Sequence, residues 1–155
     1  MQDDDAEIAL DHLMCFSVYA TNLAFSRAYR PLLDRLGLTY PQYLILVALW
    51  QEGEATVGDL GRRLSLASST VTPVVKRLQA MGYVGRHRDD ADERLVRVRL
   101  TEPGEALRRE AADLPGCILA ASGLDAAQAE ALVRLLAKLR GRLLASAEPD
   151  DGQAI

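Results

Sequence analysis

Apolar and polar positions along the chain follow a helical period, switch briefly to a period of two, and return. From about Glu7, the residues Leu13, Phe16, Ala20, Leu23 and Ala24 recur at helical spacing. They predict a first helix to about Leu36, ended by Gly37 and Leu38. Pro31 lacks a backbone donor, so a kink or break is expected there. Thr39 and Gln42 then have the spacing of a capping box, with Pro41 in the first turn. The helix they open, "PQYLILVALWQEG", is almost wholly apolar and is expected to be buried. "ATVGDLGRRLSL" reads as a residue or two of extended chain, then a short helix capped by Thr56. "ASSTVTPVVKRLQAMGYV" reads as another helix, capped within residues 68–70 and ended by Gly82 as a left-handed cap. About three residues separate the two, which is helix-turn-helix spacing.

After Gly82 the period is two. Leu95, Val96, Val98 and Leu100 mix with Arg97 and Arg99, close to strict alternation. "DDADE" lies between two extended arms as a hairpin turn, although it lacks Asn-Gly. A hairpin directly after a helix-turn-helix is a wing. Thr101, with Pro103 in the first turn, caps a further helix through about Ala121. "SGLDAAQAE" breaks it and caps the last helix, whose Leu132, Leu135, Leu136, Leu139 and Leu143 form a stripe. The expected fold class is mainly α with a small β wing, a winged helix-turn-helix with N- and C-terminal helices forming a dimerisation domain. Residues 1–36 would be the N-terminal dimerisation helix, 37–101 the winged module, and 102–155 the C-terminal helices and an acidic tail. The terminal helices lie outside the winged module and need a cover, and a second copy of the chain is the expected one.

A chain of 155 residues suits one domain. No apolar run approaches the roughly 20 residues of a membrane span. The start is acidic without Lys or Arg, the opposite of a secretory leader, so a cytoplasmic protein off the membrane is expected. Two cysteines are too few for a disulfide framework. Two histidines and two cysteines without ligand spacing give no metal site, and no cofactor is expected. The net charge of −4 argues against nucleic acid until its distribution is seen. Residues 60–100 hold nine Lys or Arg against four Asp or Glu, whereas 1–11 and 148–151 hold eight acidic residues and no basic one. Local charge, not the total, attracts phosphate.

Ser68, Ser69, Thr70 and Thr72 stand at the front of the second helix of the pair, with Lys76 and Arg77 one to two turns later. In such motifs the front of that helix meets base edges, and surrounding donors hold phosphates. Taken alone, the helix reads equally well as caps and a solvated face. Arg86 and Arg88 on the first arm add basic groups. Asp92 and Arg94, two apart at the tip, can point to one face. Arg94 can then enter a minor groove with Asp92 orienting it. The competing reading is a surface ion pair, worth about 0–1 kcal/mol. Helix-turn-helix, wing and local basic charge together point to double-stranded DNA.

"DADERLVRVRLT" resembles the Asp-x-Arg-x5-Leu-Thr signature of the multiple antibiotic resistance regulator (MarR) family of winged-helix repressors, and the resemblance runs over about residues 8–146. "MCFSVYA", "YRPLLDRLGLTYPQYL" and "STVTPVVKRL" are similar to the organic hydroperoxide resistance regulators of that family. The resemblance implies that Cys15 is a peroxide-sensing thiol. Tyr19, Tyr29 and Tyr40 stand where that subfamily has tyrosines around the thiol, some reaching it from the other subunit. "LASSTVTP" departs from the subfamily's Asp-Ser-Gly-Thr, with Ala67 for Asp and Ser69 for Gly, which bears on the cap and on the operator sequence. Cys117, in "LPGCILA", makes the chain resemble the two-cysteine members, where it would be the resolving thiol.

A sensing cysteine works as its thiolate. If the first helix starts near residues 5 to 7, Cys15 lies two or more turns in, beyond the reach of the helix dipole. His12, three residues before Cys15 and on the same helix face, would help as a cation, but it reads rather as a solvated surface residue. Phenolic donors from Tyr29, Tyr40 and Tyr19 would then favour the charged form. The bland alternative makes Cys15 and the tyrosines core fillers. The expected mechanism is oxidation of Cys15 by an organic hydroperoxide, condensation with Cys117 of the partner subunit, and release of a homodimer from a palindromic operator. The peroxide is consumed once per event, so the protein is not expected to be an enzyme. Two rivals remain: a repressor released by a small phenolic ligand, with structural cysteines, and a thiol peroxidase, which would need neither the basic helix nor the wing.

Overall fold

The structure is a computed structural model and describes residues 9–147. The acidic residues expected at 3–7 and 148–151 lie outside the described residues. A single 3-10 turn, Leu10–His12, precedes α1 (Met14–Asp34). Then follow α2 (Tyr40–Glu52), β1 (Glu54–Thr56), α3 (Val57–Leu64), α4 (Ser68–Ala80), β2 (Val84–Arg88), β3 (Val96–Leu100), α5 (Glu102–Glu110), α6 (Leu114–Ser122) and α7 (Ala126–Ala147). The chain falls into two compact units, the first ending at Leu114 and the second beginning at Pro115.

The core of the first unit is built on α2, whose Ile45, Leu46 and Leu49 are fully buried, as the unbroken apolar run requires. Leu60 of α3 joins Val71, Val75 and Leu78 of α4, which share one helical face. An antiparallel sheet of order β1-β3-β2 covers them. Its central strand pairs Val98 with Ala55 on one side and Arg86 on the other, so Val98 faces inward with Ala55 and Val84. Three residues separate α3 from α4, and Ser65 among them takes the left-handed conformation. The fold class is the expected one: mainly α with a small β wing.

Four local expectations are corrected. First, the break near the N-terminus is not at Pro31 but at Leu13, whose extended backbone separates the 3-10 turn from α1. Pro31 sits within the last turns of α1, on an exposed stretch where water can take the carbonyl it leaves unpaired. Second, the helix expected from Thr101 to Ala121 is two helices. Residues 111–113 form a turn, with Leu114 N donating to Ala111 O at 3.2 Å, and Pro115 falls in the first turn of α6, where no donor is needed. Third, the N-cap of α4 is Ala67, with no side-chain cap bond. Residues 68–72 are therefore inside the helix, and Thr72 Oγ1 donates to Ser68 O at 2.8 Å. Fourth, His12 belongs to the 3-10 turn and not to the helix that carries Cys15.

The Leu100-Thr101 end of the wing ties three elements together. Thr101 Oγ1 donates to Gly82 O at 2.6 Å, and Thr101 N donates to Tyr83 O at 3.1 Å. The same hydroxyl accepts from Gly104 N and so caps α5. Trp50 Nε1 of α2 donates to Gly104 O at 2.9 Å. The C-terminal end of α4, the start of α5 and the middle of the core are thus locked by a few bonds around one threonine.

Candidate nucleic-acid interface and thiol site

Ser68, Ser69 and Thr70 are exposed at the front of α4, Thr72 is half-buried beside them, and Lys76 and Arg77 are exposed further along. On the wing, Arg86 Nε donates to Gln79 Oε1 at 2.6 Å, bridging β2 to α4. Arg88 Nη1 donates to Glu93 O at 3.0 Å and folds over the turn. Asp92 does not pair with the Arg94 guanidinium. Its Oδ1 accepts from Arg94 N at 3.0 Å, so it fixes the backbone of Arg94 and leaves that side chain exposed.

The charges sort into two sets. Arg62 pairs with Asp59, Arg63 with Glu52, and Arg97 with Asp89 and Glu54. Lys76, Arg77, Arg86, Arg88, Arg94 and Arg99 have no carboxylate partner among the described residues. An open cavity of about 350 Å³ is lined by Thr56 and Gly58 at the start of α3, by Ser68 and Thr72 of α4, and by Arg86 and Arg94 of the wing. Of the expected helix and wing residues, the fold thus brings Ser68, Thr72, Arg86 and Arg94 together around one cavity. Thr56 and Gly58 were missed as parts of its lining. The signal for them was Thr56 itself, recognised only as the cap of α3. Its Oγ1 accepts from Asp59 N at 3.0 Å.

Cys15 is exposed and is the second residue of α1, counted from the N-cap Leu13. The break at Leu13 moves it into the first turn, where unpaired amide groups and the helix dipole attract negative charge. Tyr19 lies one turn further along and is also exposed, 59%. Tyr29 is on the same helix about 21 Å along the axis from Cys15, at 1.5 Å per residue. It belongs instead to an aromatic cluster. Its ring centroid is 4.8 Å from that of Tyr40 and 5.9 Å from that of Tyr43, and Tyr43 meets Trp50 edge-on at 6.3 Å. Burial and the neighbouring Tyr40 and Tyr43 push the Tyr29 phenol up to about 12. Burial raises Tyr40 as well, and raises Tyr43 together with the nearby Tyr40. These phenols keep their protons and remain donors at any physiological pH. Of the two expected tyrosines on α1, Tyr19 is the one within a turn of Cys15. Cys117 is half-buried on α6, in the second unit, and both cysteines are thiols.

A helix-turn-helix with a three-stranded wing and an uncompensated basic face defines a winged-helix transcriptional regulator. The family model for transcriptional regulator SarA/Rot matches residues 27–110. The HTH-type transcriptional regulator TtmR of Methylorubrum extorquens is 45% identical over 144 residues, which is 93% of this chain and 73% of that protein. The organic hydroperoxide resistance transcriptional regulator of Bacillus subtilis is 40% identical over 139 residues, 90% of this chain and 92% of that protein. Among solved structures, overoxidised AbfR bound to DNA superimposes with a TM-score of 0.68 and is 35% identical, covering 84% of this chain and 91% of that one. AbfR, from Staphylococcus epidermidis, has also been solved reduced on DNA and in a disulfide form. The chain belongs to the MarR family of winged-helix transcriptional regulators, and the organic hydroperoxide resistance regulators are among its near relatives. These relatives are regulators, not enzymes.

Proposed function

We propose that the protein is a dimeric repressor that holds a palindromic operator and lets go when an organic hydroperoxide oxidises Cys15. One observation carries the proposal: an exposed cysteine in the first turn of α1, on a chain whose helix-turn-helix and wing present unpaired cations on one face. On the DNA side, Ser68, Ser69, Thr70 and Thr72 meet base edges in a major groove, while Lys76, Arg77, Arg86 and Arg88 serve phosphates. Arg94 enters the adjoining minor groove. A protein working on DNA in this way resides in the cytoplasm. No helix among the described residues is long and apolar enough to cross a membrane.

On the chemical side, the Cys15 thiolate attacks one peroxide oxygen. An S–O bond forms, the O–O bond breaks, and the alkoxide leaves as the alcohol after taking a proton. Cys15 stands in the first turn of α1, and Tyr19 of the same chain, one turn further along, is the nearest phenol on that helix that can offer a donor. Tyr29, about 21 Å along α1 from Cys15, and Tyr40, which packs against Tyr29, serve the Cys15 of a partner subunit. The Cys117 thiolate then attacks the sulfenic sulfur. An S–S bond forms and hydroxide leaves as water. A cellular thiol reverses the step. A disulfide needs its Cα atoms within about 7 Å, so its formation selects one arrangement of the helices that carry the two thiols. AbfR offers a parallel, since it is found on DNA both reduced and overoxidised and has a separate disulfide form. That pattern supports disulfide formation, rather than oxidation alone, as the releasing step.

The test follows a labelled duplex from upstream of the protein's own gene, before and after one equivalent of cumene hydroperoxide. Wild type is expected to release it, with recovery in dithiothreitol, and Cys15→Ser is expected to stay bound. Cys117→Ser is expected to stay bound and to progress to the sulfinic acid in excess peroxide. If all three stay bound, peroxide is not the signal and small aromatic ligands become the candidates. Repeated turnover of peroxide with a thiol reductant would instead mark a peroxidase.

A further inference from the structure

Asp89 is the one charged residue that is buried among the described residues, at 7% exposure, and it opens the turn of the wing rather than lying in the core. Its Oδ1 accepts from Ala91 N at 2.8 Å and from Asp92 N at 3.0 Å. Its Oδ2 accepts from Arg97 Nε on β3. Its own amide donates to Leu95 O at 3.0 Å, and Leu95 N donates to Asp92 O at 2.9 Å. Arg97 continues to β1 through Nη1 and Glu54 Oε1 at 3.4 Å, and His87 Nε2 lies 3.7 Å from the other oxygen of that carboxylate. A carboxylate withdrawn from water is costly unless its lone pairs are taken up, and here three donors take them.

The turn it holds has no shape of its own. Residues 89–95 contain neither Gly nor Pro, and so lack the residues that preset a tight hairpin. The carboxylate supplies the missing constraint. It gathers the amides of Ala91 and Asp92, which sets Asp92, and Asp92 Oδ1 in turn holds Arg94 N. The constraint thus runs from Arg97 on a rigid strand to the backbone of Arg94.

We propose that Asp89 is a positioning residue for DNA binding: anchored by Arg97, it folds the wing turn so that Arg94 meets DNA already in place. The proposal rests on the DNA-binding reading above. It explains why a charge is buried at the edge of the fold, where an apolar residue would serve stability as well. A turn backbone held before binding loses less freedom on binding. The bond from Arg97, then those from Ala91 and Asp92, hold the Asp89 carboxyl below the usual carboxylate range. The clamp therefore stays charged through neutral pH, and only substitution opens it there.

The test is a mutant cycle read by anisotropy on the same duplex over a range of salt. Asp89→Ala is expected to bind about tenfold more weakly and to lower the salt slope by about one, as Arg94→Ala does for a lost groove contact. The double variant Asp89→Ala, Arg94→Ala is expected to bind no worse than Arg94→Ala alone, whereas Asp89→Ala with Lys76→Ala is expected to be additive. Arg97→Gln is expected to move affinity and slope in the same direction, and it decides the matter if Asp89→Ala does not fold. Hydrogen exchange at Ala91 and Asp92 should quicken in Asp89→Ala while the amides of α4 keep their protection. Wild-type affinity in Asp89→Ala beside a weakened Arg94→Ala overturns the proposal, and so does additive loss in the double variant. If wild type itself ignores every duplex, the DNA reading falls and takes this one with it.

Discussion

Gly104 is a position where a single methyl group cannot be fitted. A Cβ built there would stand 2.0 Å from Tyr83 O, a backbone atom that is itself bonded to Thr101 N. Neither side can yield without loosening the joint between the end of α4 and the start of α5. Gly104→Ala is therefore expected to lose about 1–3 kcal/mol or more, as overpacking does, visible as a lower midpoint in urea. An unchanged midpoint would show that the joint is softer than its bonds suggest. Tyr29 makes a second residue-level prediction. Its phenol is raised to about 12 by burial and by its neighbours, so the folded state holds that proton more tightly than the unfolded chain does. The stability this gives is complete below pH 10 and is lost as pH rises through about 12. Absorbance at 295 nm should show a late phenolate transition in the folded protein that Tyr29→Phe removes. A transition near pH 10 for every tyrosine would contradict the cluster.

At the scale of elements, α4 starts at a residue with nothing to cap it. Ala67 has the extended backbone of an N-cap but no acceptor in its side chain. Ala67→Ser should supply one and stabilise the protein by about 0.5–2 kcal/mol, measured by thermal or urea unfolding. No gain would mean that the front amides of α4 are already satisfied by water. The same helix shows what was legible in the sequence and what was not. Its existence, its end at Gly82 and the three-residue turn before it follow from periodicity and from the residues that punctuate it. Its start does not, because "ASSTVT" offers several good caps. The choice is made by packing. Leu66 O and Ser68 N crowd Gly61 so closely that a Cβ there would come within 2.7 Å of Leu66 O, and Leu66 N bonds Gly61 O at 2.8 Å. A close contact between α3 and the turn that follows it thus sets where α4 begins. The break at Leu13 was illegible for another reason: a leucine carries no turn signal, so the periodic pattern ran straight through it. That single miss moved Cys15 from mid-helix to a helix start, and with it the electrostatics of the thiol. The wing arms and the tip residues Asp92 and Arg94 were legible from alternation, whereas Asp92's bond to a backbone amide and the burial of Asp89 needed coordinates.

For the whole molecule, both terminal elements carry apolar side chains that one chain leaves in water. On α1 these include Met14, 61% exposed, with Val18, Leu23 and Phe25. On α7 they include Val133, 66%, and Leu135, 64%, with Leu143 and Leu144. Large apolar side chains left exposed in such number along a helix mark a protein contact. A second copy is the proposed cover for each, and it would also bring the Tyr29 and Tyr40 pair to a thiol that, in its own chain, lies about 21 Å along α1 from Tyr29. Two reading heads then sit on half-sites about 34 Å apart, one turn of DNA. Wild type should sediment as a dimer at micromolar concentration. A charge on the stripe, Leu135→Glu or Leu143→Glu, should shift it toward monomer with the winged module still folded by circular dichroism. Such a monomer should lose operator affinity by about two orders of magnitude or more, because the second half-site no longer adds at high effective concentration. It should also react more slowly with peroxide at Cys15, since it lacks the partner's phenols. Weakened DNA binding with undiminished thiol reactivity would separate the two roles and assign the phenol donor to Tyr19 alone. A wild-type monomer that still binds the duplex tightly would instead leave the exposed faces to another protein.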